Sequence, residues 1–375
     1  MAENFNAGLE KPQFQKPLVN LARQTTWRMW LVNLCAFLVV LQSSASDSFS
    51  SLFVMLGALC GAVLTETLFL HKSGRLWALK DGSAVAAAMI LTLLLPNRIS
   101  PVYAAAGAVF AMAVIKHSFG GLGSNWLNPA AGGWLFIRFS WPAAFRTALE
   151  GSPLALLSES LSRGVSDPTG SPLGILKIDA AGLFANASPL DGKLRSFFNN
   201  TVFSLSGAEL PGGYLDLLGS RFPGIIADRG ILALLAGTII ITAARVNRSW
   251  IPLAYLAVFG ILVRFAGAIP YGGIRGSGDI LFALCSGGTL TAAFFLAADP
   301  ATGAKSGGGI FLAVIIGGIA AFMFRFLGEE PYGVIYAAVL VNAILPLVRT
   351  IENRLLYKMK GTPARLNELS SRRYS

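Results

Sequence analysis

Few residues in this chain are equipped for chemistry, and they form two groups. The first is a run of hydroxyls, Ser166, Thr169 and Ser171, set in LSRGVSDPTGSPLGILK beside Asp167 and Gly170. Pro168 and Pro172 keep that run out of a helix and Gly170 loosens its backbone, so its oxygens stand on an extended or turning segment. By itself it reads as a loop. The second group is ionisable side chains inside long apolar runs: Glu66 in ALCGAVLTETLFLHK, Arg264 in LAVFGILVRFAGAIPYGG and Arg325 in FMFRFLGEEPYG. A charge held away from water is costly and is normally paired. Glu66 is therefore either a residue that reaches back to an interface or part of an ion path. Arg325 reads most simply as half of a structural ion pair, with Asp279, Glu329 or Glu330 as its partner, and Arg264 as a residue at a cofactor or ion path.

Other chemistries are poorly served. Cys35, Cys60 and Cys285 lie in separate apolar runs and no CxxC occurs, so neither an iron–sulfur cluster nor a zinc site made by this chain alone is expected. The two histidines, His71 and His117, sit at the ends of apolar runs, where a snorkelling interfacial residue is the simpler reading than a ligand or proton relay. There is no nicotinamide fingerprint and no histidine-based triad, which argues against an enzyme acting alone.

The elements that must position these residues are nearly all apolar. With 54% hydrophobic and 13% charged residues and a mean hydropathy of +0.61, the chain has too little polar surface to cover itself in water, and reads as an all-α polytopic membrane protein. Runs of about 20 apolar residues match a hydrocarbon core of about 30 Å. Ten such runs are centred near residues 37, 60, 89, 108, 135, 236, 258, 288, 316 and 340, five on each side of a long polar insert.

A stretch within the first five recurs within the second. In residues 84–141 an apolar segment is cut by Pro96, followed by an apolar span, a glycine-rich turn and Pro129 opening a further segment. Residues 287–343 repeat that grammar with a cut at Asp299–Pro300, a basic and glycine turn at Arg325 to Gly328, and a reopening at Pro331. The proline spacings are 129 − 96 = 33 and 331 − 300 = 31. With an odd number of spans per copy, the second enters the membrane from the opposite side, giving two inverted five-helix repeats whose matching breaks point to a midplane site. Asn125 or Asn128 can cap the segment opened by Pro129, and inward-facing helix starts would offer partial positive charge to an anion or a reduced flavin ring.

The net charge of +11 is unevenly spread. It implies no nucleic-acid partner; it orients the chain. Lys11, Lys16, Arg23 and Arg28 precede the first run, Lys72, Arg75 and Lys80 follow the second, Lys116 follows the fourth, Arg245 and Arg248 follow the sixth, and a basic tail follows the tenth. The positive-inside rule then puts both termini in the cytoplasm. The expected organisation is a cytoplasmic tail over 1–28, able to form a short interfacial helix at a membrane lipid surface, repeats over 29–141 and 229–348, an extracytoplasmic loop over 142–228, and a cytoplasmic tail over 349–375.

Several of these residues carry a resemblance. FALCSGGTLTAAFFLAADPATGAKSGGGIF and FMFRFLGEEPYGVIYAAVLVNAILPLV resemble the family of the RnfD subunit of Rnf electron-transport complexes and its cousin NqrB, in which a D-P break, a glycine-rich turn and a P-x-G-V-x-[FY]-A-x-L-x-x-N segment follow one another. Asp299, Pro300, Pro331, Gly333, Val334, Tyr336, Ala337, Leu340 and Asn342 match those positions, and the similarity covers most of residues 80–350. The resemblance implies a urea-transporter-like fold of about ten helices in a bacterial inner membrane. It also implies an FMN joined by a phosphoester to the external loop by a separate flavin transferase, room for a second, non-covalent flavin, and assembly with other Rnf-type subunits. Aligning the family's acceptor motif, D-x-x-[ST]-G-A-T followed by P-L, on SDPTGSPL puts Ser171 at the acceptor, with Thr169 the choice if the alignment shifts. The implied function is a flavoprotein subunit that passes electrons through FMN in a ferredoxin:NAD+ oxidoreductase coupled to Na+ or H+ translocation. The alternative is a urea-transporter-like solute channel or transporter without flavin.

Overall fold

The computed structural model describes residues 18–45, 49–121, 123, 125–165, 167, 171–179, 189–201, 223–299, 302–303, 307–328 and 330–359, and these are helical with short connections and no strand. In the first half, α1 (Leu18–Ser44), α2 (Ser50–Lys72), α3 (Ser83–Leu94), α4 (Pro101–Phe110, wound as a π-helix over Ala111–His117) and α5 (Pro129–Ser140) pack together. α1 runs unbroken from Leu18, so the interfacial helix expected ahead of the first span is continuous with it. Four helices follow among the described residues of the insert, α6 (Pro142–Leu149), α7 (Pro153–Ser162), α8 (Pro172–Asp179) and α9 (Pro189–Thr201), each opening on a proline, where no N–H is required. The described part of the expected loop is thus largely helical, and Leu154, Leu157, Ile175 and Leu176 join the main hydrophobic core.

The second half holds α10 (Ile226–Arg229), α11 (Ile231–Ala243), α12 (Trp250–Ala266), α13 (Ile280–Leu284), α14 (Thr289–Thr291, continuing as a π-helix over Ala292–Ala297), α15 (Gly307–Phe322, π-wound over Met323–Leu327) and α16 (Gly333–Met359). α15 packs on both α12 and α16, α11 packs on α1, and α5 touches α16, where the rings of Trp134 and Tyr336 meet edge to face at 5.3 Å. Four stretches, 26–45, 50–72, 250–271 and 307–327, are long and apolar enough to cross a bilayer; 83–94, 101–117, 231–243 and 333–348 are shorter apolar helices. Glycine lets the closest pair approach: at Gly57 and Gly61 of α2 an added Cβ would collide with the carbonyls of Pro101 and Ala105 on α4.

The cut at Pro96 shows why short helices are tolerated. Helix α3 is 12 residues long, well short of about 30 Å at 1.5 Å per residue, so its last carbonyls need partners. Leu94 O accepts from the fully buried Trp134 indole at 3.0 Å, and Leu95 O accepts from Ile226 N at 3.0 Å. Asn97 N donates to Gly224 O at 3.0 Å while its side-chain oxygen accepts from Gly224 N at 3.3 Å. The chain returning from the insert therefore closes the break, as backbone at membrane depth requires.

Candidate functional site

The hydroxyl run is described at one of its members, Ser171, together with its neighbour Asp167. Ser171 sits just ahead of α8; its Oγ accepts from Gly174 N at 3.3 Å, and its own N–H donates to Asp167 Oδ2 at 3.3 Å. Pro172 opens a helix here instead of preventing one, which turns Ser171 into its capping residue. Ser166, Thr169 and Gly170 lie outside the described residues.

Glu66 is buried and fully engaged. Lys116 Nζ reaches Oε1 at 2.7 Å and also Ser83 Oγ at 2.8 Å, while His117 Nε2 is 2.6 Å from Oε2 and its ring stacks on Phe69 at 4.5 Å. Lys116 and His117, expected as an interfacial cation and a snorkelling ring, are instead carried inward by the π-helical end of α4. The diverging carboxylate oxygens of Glu66 take one each. This ties α2, α3 and α4 at one point.

Arg325 is also buried at a π-helical end, that of α15, but two of its expected carboxylate partners, Glu330 and Asp279, bond elsewhere. Glu330 pairs with Arg138 at 3.5 Å, Asp279 caps α13 through Phe282 N at 2.9 Å, and Glu329 lies outside the described residues. Arg325 Nη1 donates to Ala283 O at 2.6 Å, Ser286 O at 2.9 Å and Thr289 Oγ1 at 2.8 Å, and Nη2 to Ser286 Oγ at 2.6 Å. These are the groups freed where the chain breaks between α13 and α14. Across the same break the N–H groups of Gly287 and Gly288 donate to Asp228 Oδ2 and Oδ1 at 2.7 and 2.9 Å. Both glycines are left-handed, with φ of 67° and 73°, a conformation most other residues resist. One acid and one base thus stand in for the helix that is missing. Asp228 was not singled out in the sequence, although an acid beside Arg229 in the apolar GIIADRGILALL, and the turn dipeptide Gly287-Gly288, are readable signals.

Arg264 differs from both. Its side chain is exposed near the end of α12, and Nη1 reaches Gly278 O at 3.4 Å, so the buried guanidinium expected there is absent. Asp299 binds across the halves: its Oδ2 accepts from Asn128 Nδ2 at 2.9 Å and from Thr302 Oγ1 at 3.0 Å, while Asn128 Oδ1 caps α5 through Ala130 N at 3.0 Å. Beside Asp299, between α12, α15 and α16, lies a cavity of about 610 Å³ whose lining includes Arg28, Arg245, Arg248, Tyr255 and Asn342.

Mostly helical and without a strand among its described residues, with long apolar helices and buried charges at broken or π-wound helix ends, the molecule is an all-α polytopic membrane protein. It belongs to the NQR2, RnfD, RnfE family, whose model it matches over residues 13–358. This bears out the resemblance carried by the Asp299–Pro300 break and the Pro331–Asn342 segment. Among its relatives is the D subunit of the proton-translocating ferredoxin:NAD(+) oxidoreductase complex of Clostridium ljungdahlii, 31% identical over 323 residues, which cover 85% of this chain and 88% of that protein. The D subunit of the ion-translocating oxidoreductase complex of Shewanella denitrificans is 33% identical over 350 residues, 88% of this chain and 93% of the relative. Its counterpart in Alcanivorax borkumensis is 32% identical over 302 residues, 80% and 82% of the two chains.

Proposed function

We propose that this chain is the D subunit of an Rnf-type ferredoxin:NAD+ oxidoreductase, a flavoprotein that passes electrons through FMN and couples them to Na+ or H+ translocation across a bacterial inner membrane. The observation that carries the reading is near full-length similarity to proteins that bear the D-subunit name, 85% of this chain against 88% of one of them. Ten spans in two inverted halves, both termini in the cytoplasm and the insert outside complete the topology. Other subunits of the complex are its partners, and a flavin transferase matures it.

The acceptor segment Asp167, Thr169, Gly170 and Ser171 suits a phosphoester. The Ser171 oxygen would keep a lone pair for Gly174 N after esterification, and the start of α8 favours a negative group. FMN would supply one- and two-electron transfer, and the chain its placement and surroundings. The reading leaves room for a second flavin held without a covalent bond. Glu66, Arg264, Asp299 and Arg325 are assigned to the ion path or its frame; the dense bonding of Glu66 and Arg325 favours the frame for those two.

Coexpression with an active flavin transferase, followed by denaturing electrophoresis, tests this reading. A band of this chain that fluoresces as flavin is expected. A dark band transfers preference to the channel or transporter reading, which rests on fold analogy alone.

A further inference from the structure

Five of the seven tryptophans, Trp27, Trp30, Trp77, Trp126 and Trp250, are exposed, and they gather at one end of the molecule. Contacts define that end. Trp30 Nε1 donates to Lys80 O at 3.2 Å, which joins the cytoplasmic part of α1 to the link between α2 and α3. Arg28 shares a cavity wall with Arg245, Arg248 and Trp250 at the start of α12. His117 meets Glu66 on α2, and Phe119, two residues on, lies edge to face with Trp126 at 6.1 Å. The other two tryptophans stay in: Trp134 is fully buried and Trp141 half-buried. Aromatic belts ordinarily mark both membrane interfaces, so exposed tryptophan confined to one end says that this end meets something the other does not. A docked protein covers one patch. The five rings stand on four separate elements, and what meets all four at once is a membrane interface.

The link itself shows the chemistry most clearly. Leu76–Asp81 is a 3₁₀-helix that buries none of its residues, and Trp77 is 73% exposed. The link is nevertheless fixed in place. Beside the Trp30 bond, Asn33 Nδ2 donates to Gly82 O at 3.3 Å, and a Cβ on Gly82, whose φ is 75°, would press on the Trp30 indole at 3.1 Å. An apolar pair such as Leu76 and Trp77, held outward on an ordered segment, is stable where something other than water covers it. At three residues per turn Trp77 and Lys80 share one edge. Lys72, Arg75 and Lys80 are all exposed, whereas Asp81, the one acid of the link, faces the backbone and accepts from Ser83 N at 2.7 Å. The charge that the link turns outward is therefore positive.

We propose that the link between α2 and α3 is an interfacial foot that binds the headgroups of anionic phospholipids. Lys72, Arg75 and Lys80 pair with the phosphates, while Leu76 and Trp77 sit among the glycerol and upper acyl groups, the depth that suits an indole with an apolar body and one N–H donor. The assignment rests on charge and exposure, so it stands whichever end of the chain faces the cytoplasm and whether or not the chain carries flavin.

The test is tryptophan fluorescence of the full-length chain in detergent micelles that contain phosphatidylglycerol brominated near the headgroup ends of its acyl chains, with phosphatidylcholine brominated in the same way as the zwitterionic arm. The difference between the parent and Trp77→Phe isolates the Trp77 signal. Phosphatidylglycerol should quench it saturably and at a lower mole fraction than phosphatidylcholine. The fraction that gives half-quenching should rise about fivefold for each of Lys72→Gln, Arg75→Gln and Lys80→Gln, and stay unchanged in Arg98→Gln, an exposed arginine beyond the opposite end of α3. Because the substituted side chains are exposed, these variants should keep the parent's thermal midpoint in phosphatidylcholine micelles, so that a shift in quenching reports binding. The proposal is overturned if phosphatidylcholine quenches at the same fraction, if the link variants behave as Arg98→Gln does, or if aqueous iodide quenches Trp77 and lipid bromine does not. It is overturned too if Trp77, in chain extracted with its partner subunits, is shielded from lipid and iodide alike, which would give the surface to a protein.

Discussion

Asn128 donates to Asp299 at 2.9 Å across 171 positions of sequence, and so joins the proline-opened start of a helix in one half to the break that precedes Pro300 in the other. The same side chain caps α5 with its oxygen, at 3.0 Å from Ala130 N. A single amide therefore serves a local need and a long-range one, which a carboxylate at 128 could not, since it would cap equally well but face a like charge.

That difference sets the first prediction. Asn128→Ala should lower stability by about 1–3 kcal/mol through the lost cap and the lost bond. Asn128→Asp should cost at least as much, and adding Asp299→Asn should recover most of it by reversing the polarity of the contact. Thermal unfolding of the parent, the two single variants and the double variant in detergent gives the double-mutant cycle. An Asn128→Asp protein as stable as its parent would show that the contact contributes nothing.

The second concerns Glu66. Lys116→Met leaves a buried carboxylate without its lysine and should cost about 3–5 kcal/mol, whereas Glu66→Gln combined with Lys116→Met should cost far less, because neither member of the buried Lys–Glu pair then carries a charge. Redox-linked transport measured in Glu66→Gln and in Arg264→Gln separates frame from path. Unchanged transport in an assembled complex removes that residue from the ion path.

These two sites show what the sequence could and could not reveal. Pro96 and Pro129 were legible as a break and a reopening because proline and glycine act through the local backbone, whose preferences are written in neighbouring residues. Asn128 was legible as a cap for the same reason. Its bond to Asp299, and those of Lys116 and His117 to Glu66, depend on which helices become neighbours, and nothing local encodes that. Arg325 was found as a buried charge but assigned carboxylate partners, because hydropathy cannot anticipate that a broken helix offers carbonyls enough to satisfy a guanidinium. The helices of the insert were missed because prolines that open helices look like prolines that forbid them.

For orientation, Ser158→Cys is the reporter, placed on an exposed position of α7 in a chain whose Cys35, Cys60 and Cys285 have been replaced. An impermeant thiol reagent should label it in intact cells. Labelling only after lysis would put the insert on the cytoplasmic side and remove the acceptor segment from the reach of an external flavin transferase.

Flavin attachment gives a residue-level outcome. Ser171→Ala should abolish covalent flavin, or Thr169→Ala should if the acceptor is the neighbouring hydroxyl. Peptide mass spectrometry should find an FMN-sized adduct on the fragment between Arg163 and Lys177. An unmodified fragment after coexpression with active transferase would mean that this loop does not hold the cofactor.

The last prediction follows from the clamp at the α13–α14 break. Arg325 spreads four bonds over Ala283, Ser286 and Thr289, a division of labour that needs a planar fork; a lysine ammonium radiates its donors from one point and cannot reach the same set. Asp228 holds the opposite side of the turn through Gly287 and Gly288, so the two charges stabilise one backbone conformation from two directions. Arg325→Gln should therefore destabilise by about 3 kcal/mol or more, since it strands several buried acceptors. Arg325→Lys should recover only part of that. Asp228→Asn, which keeps shape but loses charge-assisted bonds, should cost about 1–3 kcal/mol. The double variant Asp228→Asn with Arg325→Gln should cost less than the sum of its parts, because once one side of the turn has been released the other has less left to hold. Chemical unfolding and limited proteolysis at residues 285–288 read both quantities. If Arg325→Lys unfolds with the parent and the turn stays protected, the guanidinium geometry is incidental and the break is held by packing alone.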